Sequence, residues 1–190
     1  MTKPKATEDV IQKINTLSLF TARLQLAKFT SEDVEVNVLH EMNPEIMHFI
    51  RDPRSYEETL KKTIEVAQDY SGNESDWALF AIRIKESNEY IGIVCFRYES
   101  IENDTVEIGW RLGLEFHGQG YATEAAQAFL AFLKNEVKPH KVVAYCVAEN
   151  TASSNIMSKL GMQQEACFRE FSKLGGQWFD EAVYGLILNS

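Results

Sequence analysis

Two glycines in the run HGQGYATEA, Gly118 and Gly120, lie between a strand-like segment and a strongly helical one. Backbone N–H groups at the start of a helix have no partner inside it, and the helix dipole adds positive character there. Glycine removes the Cβ that would hold a phosphate away from those amides. The turn therefore suits a pyrophosphate; otherwise it is simply a tight turn. No Gly-Lys-Ser/Thr follows, so it is not a P-loop. The three-glycine dinucleotide fingerprint and its ribose-binding acid are also missing. A phosphate ligand here belongs to some other carrier.

The remaining reactive side chains point to little else. Cys95, Cys146 and Cys167 are odd in number and have no CxxC spacing, which argues against a disulfide framework or a zinc site. All three read as small core hydrophobes. His40, His48 and His140 are isolated, without metal-ligand spacing, so no metal is expected. The formal charge is -9, from 19 basic and 28 acidic residues. A nucleic-acid partner is not expected, because phosphate attraction dominates that affinity. An acidic surface favours approach of a cationic ligand such as an amine, or serves only solubility.

The elements that must position the glycine turn follow from periodicity. The 190 residues suit one domain, and 45% hydrophobic with 11% aromatic residues excludes disorder as the whole answer. No apolar run approaches the roughly 20 residues of a membrane span, and the first residues do not read as a signal peptide. A reducing, cytoplasmic setting without a membrane partner is expected. Residues 1–18 form an N-terminal arm, either a short helix with Val10, Ile11, Ile14 and Leu17 at helical spacing or a loosely docked segment. Residues 19–190 make a single domain. Its expected strands are 22–29, 77–84, 90–98, 105–112, 141–147, 164–171 and 178–188. Its expected helices follow Thr30-Ser31-Glu32-Asp33 to about Glu41, ending at Asn43-Pro44, then cover 56–70, 123 to about 135, and 153–160, where Gly161 ends the last. The strand, glycine turn, helix and strand of 105–147 make a parallel crossover unit.

The run EIGWRLGLEFHGQGYATEA (Glu107–Ala125) resembles motif A of the GNAT superfamily of N-acetyltransferases, and ENTASSNIMSKLGM (Glu149–Met162) resembles that family's second conserved block. The opening TARLQLAKFTSEDV and the ending GGQWFDEAVYGLIL resemble the Rim-type branch, which contains ribosomal-protein N-terminal acetyltransferases. The resemblance implies an α/β fold: a mixed, mostly antiparallel sheet of six to seven strands with a splayed parallel pair, flanked by helices. It also implies acetyl-CoA as cofactor. The positions matching the pyrophosphate turn are His117, Gly118, Gln119, Gly120, Tyr121 and Ala122, with His117 where the family has Gln or Arg. Thr123 adds a hydroxyl to the phosphate or caps the helix. By the same resemblance, Trp110, Arg111 and Leu112 are expected to run along the pantetheine arm. Asn150 bonds that arm or caps the next helix, and Asn155 matches a coenzyme-contacting position.

Amide formation from a thioester needs a neutral amine, a polarised carbonyl and a proton for the leaving thiolate. A protein α-amino group, with a pKa of about 7.7–8.0, needs only a modest base, whereas a lysine near about 10.4 needs more. The resemblance assigns the base to Glu107, acting through water; alternatively Glu107 is a strand-edge carboxylate without a chemical role. It assigns the proton donor to Ser153, with water as the substitute and a helix-start hydroxyl as the plain reading. A tyrosine does this in other branches, one turn further on, where this chain has Met157. Direct attack in a ternary complex is favoured over a cysteine route. Trp77, Phe96, Tyr98, Trp178, Phe179 and Asp180 fall in segments that face the acceptor by analogy, and Asp180 can hold a cationic amine. The resemblance implies an acetyl-CoA-dependent N-acetyltransferase whose expected acceptor is a protein N-terminus or a small amine, in a chain expected to be a monomer or homodimer. The alternative is a non-catalytic acyl-CoA-binding or sensing module, which needs the turn but neither Glu107 nor Ser153.

Overall fold

Alternation of apolar and polar residues generates a single sheet in the computed structural model, which describes residues 6–188. In Leu24–Lys28 (β2), Leu24 and Leu26 are buried while the residues between and after them are partly exposed. A three-residue strand, Ser18–Phe20 (β1), precedes it. Ala78–Ile84 (β3), Tyr90–Ser100 (β4) and Thr105–Leu112 (β5) form the expected antiparallel meander. Lys141–Val147 (β6), Gln163–Leu174 (β7) and Gln177–Ile187 (β8) complete the order β1-β2-β3-β4-β5-β6-β8-β7. Among the described residues, only β5 and β6 pair in parallel. The fold is thus mixed α/β with a mostly antiparallel sheet. The described residues form eight strands rather than six or seven, because β1 is too short for alternation to be read.

Local capping explains the helices. Glu8–Asn15 (α1) starts at Thr7, whose hydroxyl accepts from the Val10 N–H. It buries Val10 and Ile14 in the same cluster as the sheet, so these arm residues pack onto the domain; residues 1–5 lie outside the described part. Thr30 and Asp33 cap each other around a 3-10 turn that leads into Val34–Met42 (α2). Asn43 ends α2 and, accepting from the Glu45 and Ile46 N–H groups, starts Pro44–Met47 (α3). The Asn43-Pro44 pair is therefore a corner between helices rather than a plain break. Tyr56–Val66 (α4) begins with a Ser55/Glu58 capping box. Tyr121–Phe132 (α5) and Thr151–Lys159 (α6) each begin two residues earlier than their apolar pattern suggests.

Helices cover both faces of the sheet. On one, Phe80, Phe96 and Phe129 are fully buried with Val106, Ala126 and Met157. Burial of each such large side chain contributes roughly 1.5–3 kcal/mol. On the other, Phe29, Val38, Leu79 and Ile93 pack as a second, smaller cluster under α2. No helix among the described residues is long and apolar enough to cross a membrane.

Candidate functional site

The parallel ladder between β5 and β6 has three rungs, Thr105↔Lys141, Val106↔Val142 and Glu107↔Val143. Beyond Glu107, β5 stays with β4 as far as Leu112, while β6 follows β8 along its whole length. The two strands therefore separate. Main-chain groups of β5 that face the gap have no strand partner there. The gap opens into a cleft of about 980 Å³. Its walls are the end of β5 (Trp110, Arg111, Leu112), the glycine turn with the first turn of α5, and the first turns of α6. The segment 44–50 closes the outer side.

Gly118 and Gly120 adopt φ of 73° and 81°, a left-handed conformation that disfavours residues with a Cβ. Gly120 is the N-cap of α5 and supplies no side-chain cap, so the first amides of the helix are free to take a ligand. A Cβ at Gly118 would meet nothing within 4 Å, so the space beside this turn is open. Free amides, open space and a long adjoining cleft fit a diphosphate with an extended arm. Within the turn, His117 Nε2 lies 3.1 Å from the Leu112 carbonyl oxygen and ties the turn back to β5. Gln119 is turned outward, its Nε2 donating to the Glu115 carbonyl at 2.8 Å, and it is not in the cleft wall. Tyr121, Ala122 and Thr123 are in the wall. Thr123 is not the cap, since Gly120 holds that place.

Across the cleft, Asn150 both caps α6, its Oδ1 accepting from the Ser153 N–H at 3.1 Å, and lines the wall. Ser153 and Asn155 line it as well. Met157 lies in the core at 2% exposure, so it offers nothing to the cleft.

Glu107 occupies the last rung of the ladder. Arg97, directly opposite on β4, donates from Nε to its Oε2 at 2.7 Å. Burial pushes the Glu107 carboxyl above its usual range; Arg97 opposes this, while the nearby Glu99 and Glu181 carboxylates add to it. Tyr145 donates to Glu99 and Ser172 to Glu181, so this face gathers three carboxylates around one arginine. Trp77 lies with the Arg97 guanidinium 4.8 Å from its ring centre, beside this group and outside the cleft wall.

Several expected acceptor residues are elsewhere. Phe96 and Tyr98 point to the opposite face, where both are buried against Tyr70 and Phe129; strand alternation puts Arg97 on the site face and its neighbours off it. Trp178 is 52% exposed at the β7–β8 tip, beside Lys173. Asp180 accepts the Glu170 N–H at 2.8 Å, which commits one oxygen to the register shift in β7. Phe179 reaches Phe49 of the cleft wall edge to face, with centroids 6.3 Å apart. Arg111 lines the cleft, but its guanidinium turns to α2 and α3, donating to Asn37 and lying 3.4 Å from Glu41. Burial works against ionisation of Glu41, but Arg111 and Arg51 outweigh it and hold that carboxyl below its usual range.

Sequence reasoning missed Arg97, Glu41, Asn37, Phe49 and Asp52. Asp52 accepts the Gly175 N–H at 2.5 Å and joins the outer wall to the β7–β8 hairpin. None of these positions lies in a recognisable motif, and their partners are distant in sequence.

Cys95 and Cys146 offer no ready nucleophile. Burial pushes the Cys95 thiol up to about 12 and the Cys146 thiol up to about 11. Cys167 is exposed on β7, not a core residue as its sequence suggested. Among the described residues, no group of His, Cys, Asp and Glu is arranged to hold a metal ion.

Residues 23–163 match the family model described as an acetyltransferase (GNAT) domain. An uncharacterised N-acetyltransferase, YnaD of Bacillus subtilis, is 29% identical over 172 residues, covering 90% of this chain and 97% of the relative. The structure of a GNAT-family acetyltransferase from Bacillus anthracis is 28% identical, with a TM-score of 0.78 over 92% of this chain and 100% of that one. The fold is also similar to that of RimL, a ribosomal L7/L12 α-N-protein acetyltransferase solved with coenzyme A. There the TM-score is 0.76 at 22% identity, over 88% of this chain and 96% of the other.

Proposed function

Because the chain belongs to the GNAT acetyltransferase family, we propose that it transfers an acetyl group from acetyl-CoA to a primary amine, either a protein N-terminus or a small amine, by direct attack in a ternary complex. The observation that carries this reading is the fork: the β5–β6 ladder ends at a half-buried carboxylate, Glu107, and the gap beyond it runs to the left-handed glycine turn. When bound, acetyl-CoA supplies an activated acetyl thioester. The amides at Gly118, Gly120 and the start of α5 would hold the diphosphate. The unpaired edge of β5 beyond Glu107, the Asn150 side chain and Trp110 would hold the amide-bearing arm. A main-chain N–H on the same edge polarises the reacting carbonyl.

Glu107 takes the proton from the amine through a water molecule. Its raised pKa makes it a stronger base than an exposed carboxylate, and Arg97 fixes its direction. The Ser153 hydroxyl, on the facing wall, would be the proton donor for the thiolate that leaves. The three carboxylates on this face favour a cationic acceptor. The likeness to RimL supports a Rim-type acceptor, an N-terminal amine.

Release of free thiol from acetyl-CoA in the presence of N-terminal peptides and polyamines tests the proposal. Turnover with at least one amine is expected. Coenzyme A binding with no thiol release from any amine would leave the sensing-module reading in its place.

A further inference from the structure

The turn between β1 and β2 reaches across to the glycine turn. Thr21 Oγ1 donates to Glu124 Oε1 at 2.6 Å, and the Arg23 main-chain N–H donates to the same oxygen at 3.0 Å. Arg23 Nε donates to Glu124 Oε2 at 2.7 Å, and its Nη1 donates to the Gln119 carbonyl at 3.0 Å. The guanidinium lies 4.3 Å from the centre of the Tyr121 ring, and Nη2 is 3.5 Å from where a Cβ on Gly120 would sit. One cation is thus fastened to Gln119, Tyr121 and Glu124, the residues that shape the turn.

Glu124 is in the first turn of α5. An acid there suits the helix dipole, but it sets a full negative charge beside the amides available to a diphosphate. Burial works against its ionisation, yet the bonds from Thr21 and Arg23 prevail and hold the carboxyl below its usual range. Glu124 is therefore charged at neutral pH, and a phosphate bound at this turn feels it.

Resting on the reading of the turn as a diphosphate site, we propose that Arg23 is a charge-compensating and positioning residue for the coenzyme. It covers the Glu124 carboxylate and keeps residues 119–121 in the binding conformation. The β1–β2 turn, outside the glycine motif, then belongs to the coenzyme site.

Calorimetric titration with coenzyme A tests this on the full chain, at low and high salt. Arg23→Gln is expected to weaken binding by about tenfold, an effect that shrinks in high salt because the pair is partly exposed. Glu124→Gln, which removes the repulsion and leaves Arg23 in place, is expected to tighten binding by about threefold. Loss of a merely structural brace would weaken it instead. The double variant Arg23→Gln/Glu124→Gln is expected to recover most of what Arg23→Gln alone loses. The Glu124→Gln result stands even if Arg23→Gln fails to fold. Unchanged or weaker binding in Glu124→Gln, or a double variant no better than Arg23→Gln, overturns the proposal while the coenzyme reading survives. Wild-type protein without affinity for coenzyme A overturns both.

Discussion

The two sides of the cleft are built by opposite strategies. The side formed by β5, the glycine turn and the start of α6 offers mainly backbone: free amides, two left-handed glycines and an unpaired strand edge. The side formed by residues 44–50 offers side chains, and the layer behind it is fastened by side-chain contacts: Glu41 with Arg51 and with Arg111 of β5, Phe49 with Phe179 of the β7–β8 hairpin, and Asp52 with Gly175. Backbone recognition tolerates change in the surrounding side chains and demands only a conformation. Side-chain recognition allows the same scaffold to serve different partners. Under the proposed function, the backbone side takes the shared coenzyme and the side-chain side takes the particular acceptor.

Glu107 stands at the last rung of the ladder, outside the cleft wall itself, and as the proposed base its replacement is expected to have the largest effect. Glu107→Gln should lower kcat by about a hundredfold or more in a steady-state assay, in the range of general-base removal, with coenzyme A affinity unchanged. The wild-type rate should rise with pH as Glu107 loses its proton, at a pH above the usual carboxylate range. The direction follows because only the ionised form accepts a proton and burial delays ionisation. That limb should vanish in the variant.

A smaller loss, confined to the backbone side, is expected from Gly120→Val. A β-branched residue at positive φ is strained, and coenzyme A affinity should fall by about a hundredfold. Thermal protection by coenzyme A, worth about 2.7 kcal/mol at a hundred times Kd, should disappear. Retained tight binding would contradict recognition by the backbone.

On the other side, Glu41→Ala leaves Arg111 buried without its carboxylate. Urea unfolding should show a loss of about 3 kcal/mol, with the KM for the amine raised more than the affinity for coenzyme A is weakened. The mildest change, Asp52→Ala, removes a single anchor of the hairpin. It should raise the amine KM by about threefold, the scale of one hydrogen bond, without altering coenzyme A binding. If either variant weakens coenzyme A as much as the amine, the division into two sides fails.

The same division governs what the sequence reveals. The bounds of β5 and β6 and the place of the glycine turn are legible, because strand alternation and glycine punctuation are local signals. Apart from Gln119, which turns outward, every residue assigned to the coenzyme lies in the wall of the cleft. On the acceptor side, Tyr98 is misplaced because its aromatic character was read without its parity: Arg97 faces the site and Tyr98 the core. Asp180 is drawn into a register shift where Glu170 takes φ of 47°, a distortion that no local pattern announces. Glu41 and Arg111 meet only because α2 lies across the sheet, and no periodicity links positions so far apart.

The three-rung ladder also has a mechanical meaning. β6, β8 and β7 form a wing joined to the other five strands by one short seam and by packing through the helices. A rod-like ligand laid along the open stretch acts as a splint, replacing the missing rungs and stiffening the joint. Amide deuteration between residues 108 and 112 should then slow markedly once coenzyme A is added, so that the wing is steady when the amine arrives.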